Sequence, residues 1–275
     1  MEVHMDRGGK EELLVARLTR LLTSLVSPEC DVSLQELQEL VSNKQHVIPL
    51  LEEILDRAQA REIDLVCPPA NNAWMAVVHA LFLLAHMRSQ ASFDKILKFL
   101  SQDEAVLHYW LHDLLVDDVW EVLYLLGEAQ VEKLIGFFVD EKVSAAARVS
   151  ACTALVQIAL RHPGEQPRIF DAFRKVLRAK HPDPEFVGLI ICELTDLKAE
   201  ALRNDLLRAL KTQRVWPGLI NAADIRAAYR TPVRKRVPYD LGERYACFRE
   251  LGFFSASSPR KPSRKKSKLH LENSP

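Results

Sequence analysis

"AWMAVVHALFLLAHMRSQASFDKILKFL", residues 73–100, is the stretch whose reading decides the fold. Its first half, Ala73 to Met87, is an almost unbroken apolar run. The run is shorter than the ~20 residues that span a bilayer, and it carries His79 and His86. In the second half Phe93, Ile96, Leu97 and Leu100 follow the i, i+3, i+4, i+7 spacing of one helical face, with Asp94, Lys95 and Lys98 opposite. A helix apolar all round must be covered on both sides, and an amphipathic helix after a short polar turn completes an αα-hairpin.

The unit returns along the chain. Val119, Val122, Leu123 and Leu126 form a stripe, Gly127 to Gln130 break it, and Val131, Leu134, Ile135 and Phe138 form the next. Ala151, Ala154, Leu155 and Ile158 lead through a Pro-bounded turn to Ile169, Ala172, Phe173 and Val176. The second helices start 38 residues apart both times, at Phe93, Val131 and Ile169. A looser copy has Phe186, Leu189, Ile190 and Leu194, then Leu202, Leu206, Ala209 and Leu210. Two-helix units at this period predict an all-α, HEAT/armadillo-like α-solenoid of stacked helical hairpins, because one hairpin cannot bury its apolar face alone.

The expected organisation is 1–72, N-terminal helices capping the solenoid; 73–229, the repeats; 230–254, a short C-terminal extension; and 255–275, a disordered basic tail. Ser33 with Glu36 reads as a capping box, and Pro49 falls in the first turn of the helix that follows. Asn72 is placed to cap the opening helix. The last segment, SASSPRKPSRKKSKLHLENSP, has almost no apolar residues to offset the entropy of ordering.

Three stretches, "LQELVSNKQHVIPLLEEILDRA", "HALFLLAHMRSQASFDKILKFL" and "LHDLLVDDVWEVLYLLGEAQVEKLIGFF", carry a resemblance. Over roughly residues 30–225 the chain resembles the bacterial HEAT-like repeat proteins of unknown function that often carry a C-terminal SEC-C zinc motif. That resemblance implies a fold and no activity. No Cys-rich element follows residue 225, so the accessory zinc site is expected to be missing.

The five cysteines are scattered without a CxxC pair, which points to reduced thiols in a cytoplasmic protein. The start, MEVHMDRGGKEE, has no apolar signal core. The formal net charge of zero hides an asymmetry. Residues 230–275 carry +8 and residues 1–229 carry −8, and residues 101–141 alone carry −9. An acidic body with a basic end is the main electrostatic feature.

His108 and His112, at i, i+4, would face one way on a helix, and Asp113 adds a carboxylate. This His/Asp group is a weak candidate for a metal site and for a metal-dependent hydrolase. No third ligand, Ser-His-Asp grouping or Gly-rich phosphate loop accompanies it, so no cofactor and no enzymatic activity are expected. Extended curved surfaces bind proteins, so the leading expectation is a non-enzymatic interaction or scaffold module. Asp113, Asp117, Asp118 and Glu121 in the acidic ridge would dock a basic partner. The acidic body argues against nucleic acid there. The tail residues Arg260, Lys261, Arg264, Lys265, Lys266 and Lys268 offer nucleic acid or another acidic surface a contact. Opposite charge further suggests that the basic end attracts the ridge through many weak contacts, either covering it within one chain until a competitor displaces it or driving salt-sensitive association between chains.

Overall fold

The structure, a computed structural model, describes residues 7–25, 32–60, 73–181, 183–233 and 235–250. The predicted tail 255–275, Cys30, Cys67 and the Asn72 cap lie outside the described residues. Among those described, the chain is all-helical, without a strand. No described helix is long and apolar enough to cross a membrane.

Three helices open the chain: α1 (Arg7–Leu25), α2 (Leu34–Ser42) and α3 (Lys44–Gln59). Ser33 and Glu36 form the predicted capping box at the start of α2. Pro49 departs from expectation. Because α3 starts at Lys44, right after Asn43, the proline stands inside the helix rather than in its first turn. The apolar run forms α4 (Ala73–His86), and α5 (Phe93–Leu100) completes the hairpin. Every residue of α4 from Val77 to Ala85 is buried, with α3 and α8 packed against it.

Two short helices, α6 (Glu104–Leu111) and α7 (Leu114–Asp117), precede the next pair, α8 (Val119–Gly127) and α9 (Val131–Val139). Gly127 ends α8 where a Cβ would lie 2.7 Å from Leu134 Cδ2, so the missing side chain lets the two helices close. The long α10 (Ala145–Arg161) pairs with α11 (Gln166–Arg178), and α12 (Pro184–Leu197) with α13 (Glu200–Thr212). Two further helices, α14 (Ala222–Ala228) and α15 (Leu241–Glu250), follow.

The first helices touch in the order α4, α8, α10, α12, and the second helices α9, α11, α13 form a second row. The 38-residue stride is visible in chemistry. Asp56, Asp94 and Glu132 recur at that interval, and each meets a cation from the following unit. Lys95 Nζ lies 2.6 Å from Asp56, Lys133 Nζ 2.7 Å from Asp94, and Arg168 Nη1 2.7 Å from Glu132. The three acids and the two lysines keep the stride, while Arg168 stands three residues short of it and reaches Glu132 with its longer side chain. The row of first helices positions the site.

Candidate functional site

The feature that composition did not place is the course of residues 231–250. After α14 the chain turns back and crosses the first helices in reverse order. Lys198, which ends α12 in the left-handed conformation (φ 52°), donates from Nζ to the Thr231 carbonyl at 2.8 Å and its hydroxyl at 2.7 Å. On α10, Gln157 Oε1 accepts the Arg236 main-chain N–H at 2.9 Å, and the Arg161 guanidinium donates to the Arg236 carbonyl. Gln157 and Arg161 stand one turn apart and are bonded to each other at 2.9 Å. The Arg236 guanidinium reaches α12, 2.8 Å from Glu193 and 3.8 Å from Asp196.

The strap then becomes helical. Asp240 and Glu243 exchange side-chain and main-chain bonds of 2.8 and 2.9 Å, the arrangement of a capping box opening α15. This helix buries three large side chains on the array: Arg244, Tyr245 and Phe248. Tyr245 hydroxyl is 2.9 Å from His79 Nδ1, and the two rings stack. Phe248 meets Phe82 edge to face at 5.2 Å. Beyond them, Arg249 Nη2 donates to the Val32 carbonyl at 2.5 Å, at the start of the α2 unit.

Arg244 has no exposed side-chain surface. Its Nη1 is 2.6 Å from Asp118, and its Nε is 3.2 Å from Glu121 Oε2. The guanidinium also lies over the rings of Tyr239, Phe82 and Phe248 at 4.7, 5.0 and 5.3 Å. Burial pushes the Glu121 carboxyl up to about 7 against the pull of Arg244. Burial holds the Arg244 guanidinium down, but Asp118 and Glu121 more than offset this and its net shift is upward. Such a pair is retained only where hydrogen bonds and ring faces replace water.

The predicted ridge is therefore divided. Asp113 and Asp117 are exposed, Asp118 is partly exposed, and Glu121 is buried, with the last two bound to the strap. Glu121 is not a surface group. It stands on the inward side of α8, where the helix stripe Val119, Val122, Leu123 placed it one residue away from core positions. The basic end does meet acidic residues of the body, through Arg236 and Arg244.

His108 and His112 do come together, with ring centroids 5.1 Å apart, but not on one helix face. α6 stops at Leu111, and His112 caps it with φ 45°, leaving the helix as it does so. Asp113 is exposed. Among the described residues no group of three or more His, Cys, Asp or Glu is arranged to hold a metal ion. The described cysteines, Cys152, Cys192 and Cys247, are free thiols.

Gln157, Arg161, Glu193, Arg236 and Arg244 were missed by the motif reading. One signal existed. A glutamine amid the apolar stretch of α10 is buried only with a hydrogen-bond partner, and that partner is the strap.

These features define an all-helical protein with ordered helix rows, one of which is crossed by the chain's own C-terminal segment. A family model described as "Protein of unknown function (DUF1186)" matches residues 16–236, and the chain belongs to that family. The match ends at Arg236, so α15 lies beyond it. No curated protein and no solved structure matches the chain.

Proposed function

We propose that this protein is a non-enzymatic interaction module, a HEAT-like α-solenoid whose acidic first-helix side docks a basic partner segment. The supporting observation is the seating of Arg244 between Asp118 and Glu121. It is a worked example, within one chain, of that side accepting an arginine, with Phe82 of α4 on one part of the guanidinium and Tyr239 and Phe248 of the incoming segment on the rest. Asp113 and Asp117 remain exposed beside it and extend the negative surface toward solvent. Stacked hairpins supply the long surface that such docking requires. A hydrolase reading of His108, His112 and Asp113 gains no support: among the described residues no group of three or more His, Cys, Asp or Glu is arranged to hold a metal, and His112 has left its helix.

The test is a titration of the full chain with a fluorescent arginine-rich peptide, followed by anisotropy at low and raised salt. Binding that weakens with salt, and weakens again in the Asp113→Asn, Asp117→Asn variant, is the expected result. Equal affinity for the variant and the natural protein would remove the acidic side from consideration.

A further inference from the structure

The strap offers more than a charge match, because it identifies what kind of segment the first helices hold. We propose that residues 235–240 are an intramolecular occupant of a peptide site on α10 and α12. The partner segment that replaces them is a non-helical stretch carrying an arginine where Arg236 now sits. This inference rests on the docking reading above and narrows it.

Three observations carry it. First, α10 reads the main chain. Gln157 takes the N–H and Arg161 the carbonyl of one residue, Arg236. Residues 235–240 belong to no helix or strand, so α10 supplies here what secondary structure supplies elsewhere. These main-chain bonds do not depend on the side chain, so α10 holds the segment while α12 selects the side chain at that position.

Second, the site demands a cation. The Glu193 side chain is mostly buried, and burial pushes its carboxyl above the ordinary range, a rise that Arg236 and then Thr153 only partly offset. If the strap left with nothing in its place, a largely buried carboxylate would stand unpaired, which is costly. A replacement therefore has to bring a guanidinium or ammonium group to Glu193 and Asp196. An uncharged or acidic segment does not satisfy the site.

Third, the two halves of the strap are held very differently. α15 buries Arg244, Tyr245 and Phe248 completely or nearly so. The non-helical half leaves Val233, Val237 and Tyr239 exposed, with Val237 at 75%. Local opening starts where few apolar contacts must be broken. The half that lies on α10 and α12 can lift off while α15 stays seated on α4 and α8. The exposed Val233 and Val237 do not hold it down, and Tyr239, whose ring covers Arg244, is the end at which it stays attached.

The experiment uses the full chain and a fluorescent peptide with the sequence of residues 230–240 as the probe. Arg236→Ala loosens the strap and leaves Gln157, Arg161, Glu193 and Asp196 untouched. This variant is expected to bind the probe about tenfold or more tightly than the natural protein, because the competent fraction rises. Adding Glu193→Gln to Arg236→Ala is expected to cancel the gain, as is replacing the arginine of the probe that corresponds to Arg236 by alanine. If Arg236→Ala fails to fold, Lys198→Ala, which releases the strap at Thr231, serves in its place. Equal affinity for the loosened and natural proteins would overturn the inference, as would a gain that survives Glu193→Gln. A concentration-dependent dimer in the loosened protein would assign the site to a second copy's strap and also overturn the partner assignment. The docking reading is judged separately, by Asp113→Asn alone, because Asp117 ends α7, which packs on α10, and its carboxylate feels the Arg236 charge.

Discussion

Arg244 and Glu121, 123 positions apart in sequence, form an ion pair in which neither side chain has appreciable exposure. One residue belongs to the basic end and the other to the acidic body. Their meeting fixes α15 to α8 and turns a charge asymmetry of composition into a specific contact. A buried charge whose partner is removed costs several kcal/mol, whereas exchanging the whole pair for uncharged residues costs much less.

Arg244→Met is accordingly expected to destabilise the protein by about 3–5 kcal/mol, since it strands Glu121 and part of Asp118. Urea unfolding followed by circular dichroism reads this directly. Adding Glu121→Gln to Arg244→Met is expected to recover part of the loss. A double variant no more stable than the single one would mean that Arg244 acts through packing on Phe82, Tyr239 and Phe248 alone.

The ladder of exposed pairs along the second helices should behave in the opposite way. Lys133 and Asp94 are 2.7 Å apart but both well exposed. Lys133→Ala is expected to cost less than about 1 kcal/mol, and less again in raised salt. A loss comparable to that of Arg244→Met would show that the inter-unit pairs, not the apolar contacts, hold the rows together.

His86 supplies a pH dependence. Its Nε2 is buried without a hydrogen-bond partner among the described residues. Burial pushes its pKa down from 6.5 to about 4; Arg244 and Arg88 act in the same direction, and Asp240 opposes them. The unfolded chain therefore takes up a proton between pH 6.5 and 4 that the folded chain refuses. Stability from this residue is whole above pH 6.5 and declines as pH falls toward 4, by about 3 kcal/mol at most. His86→Gln should flatten that part of the stability-against-pH curve. An unchanged slope would show that His86 is not the group responsible.

The His108–His112 pair presents two imidazoles and no third donor among the described residues. Added zinc is expected to leave the thermal midpoint unchanged, because a ligand that binds only the folded state would raise it. A rise that His108→Ala abolishes would restore the metal reading.

Much of the architecture was legible because hydrophobic period and helix caps are local properties. Phe93 and Val131 begin α5 and α9 as the spacing requires, and Ser33 and Glu36 cap α2. The ends of helices were less legible. His112 continues the i, i+4 pattern from His108 in sequence, yet the chain leaves the helix there with a positive φ that no local rule demanded. Glu121 read as part of a solvated ridge because a charge in sequence carries no label for the partner that will bury it. Its partner lies 123 residues away, and only tertiary packing brings Arg244 to it. The charge asymmetry indicated that the basic end and acidic body attract. It could not indicate which acidic residues Arg236 and Arg244 would meet.

The most direct measurement is amide hydrogen exchange across residues 231–250 of the full chain, with and without the arginine-bearing probe peptide. Faster exchange in residues 233–240 on adding the peptide, with α15 still protected, is the expected result. Protection unchanged in both halves while the peptide is bound would show that the peptide sits elsewhere and that the strap is a permanent part of the fold.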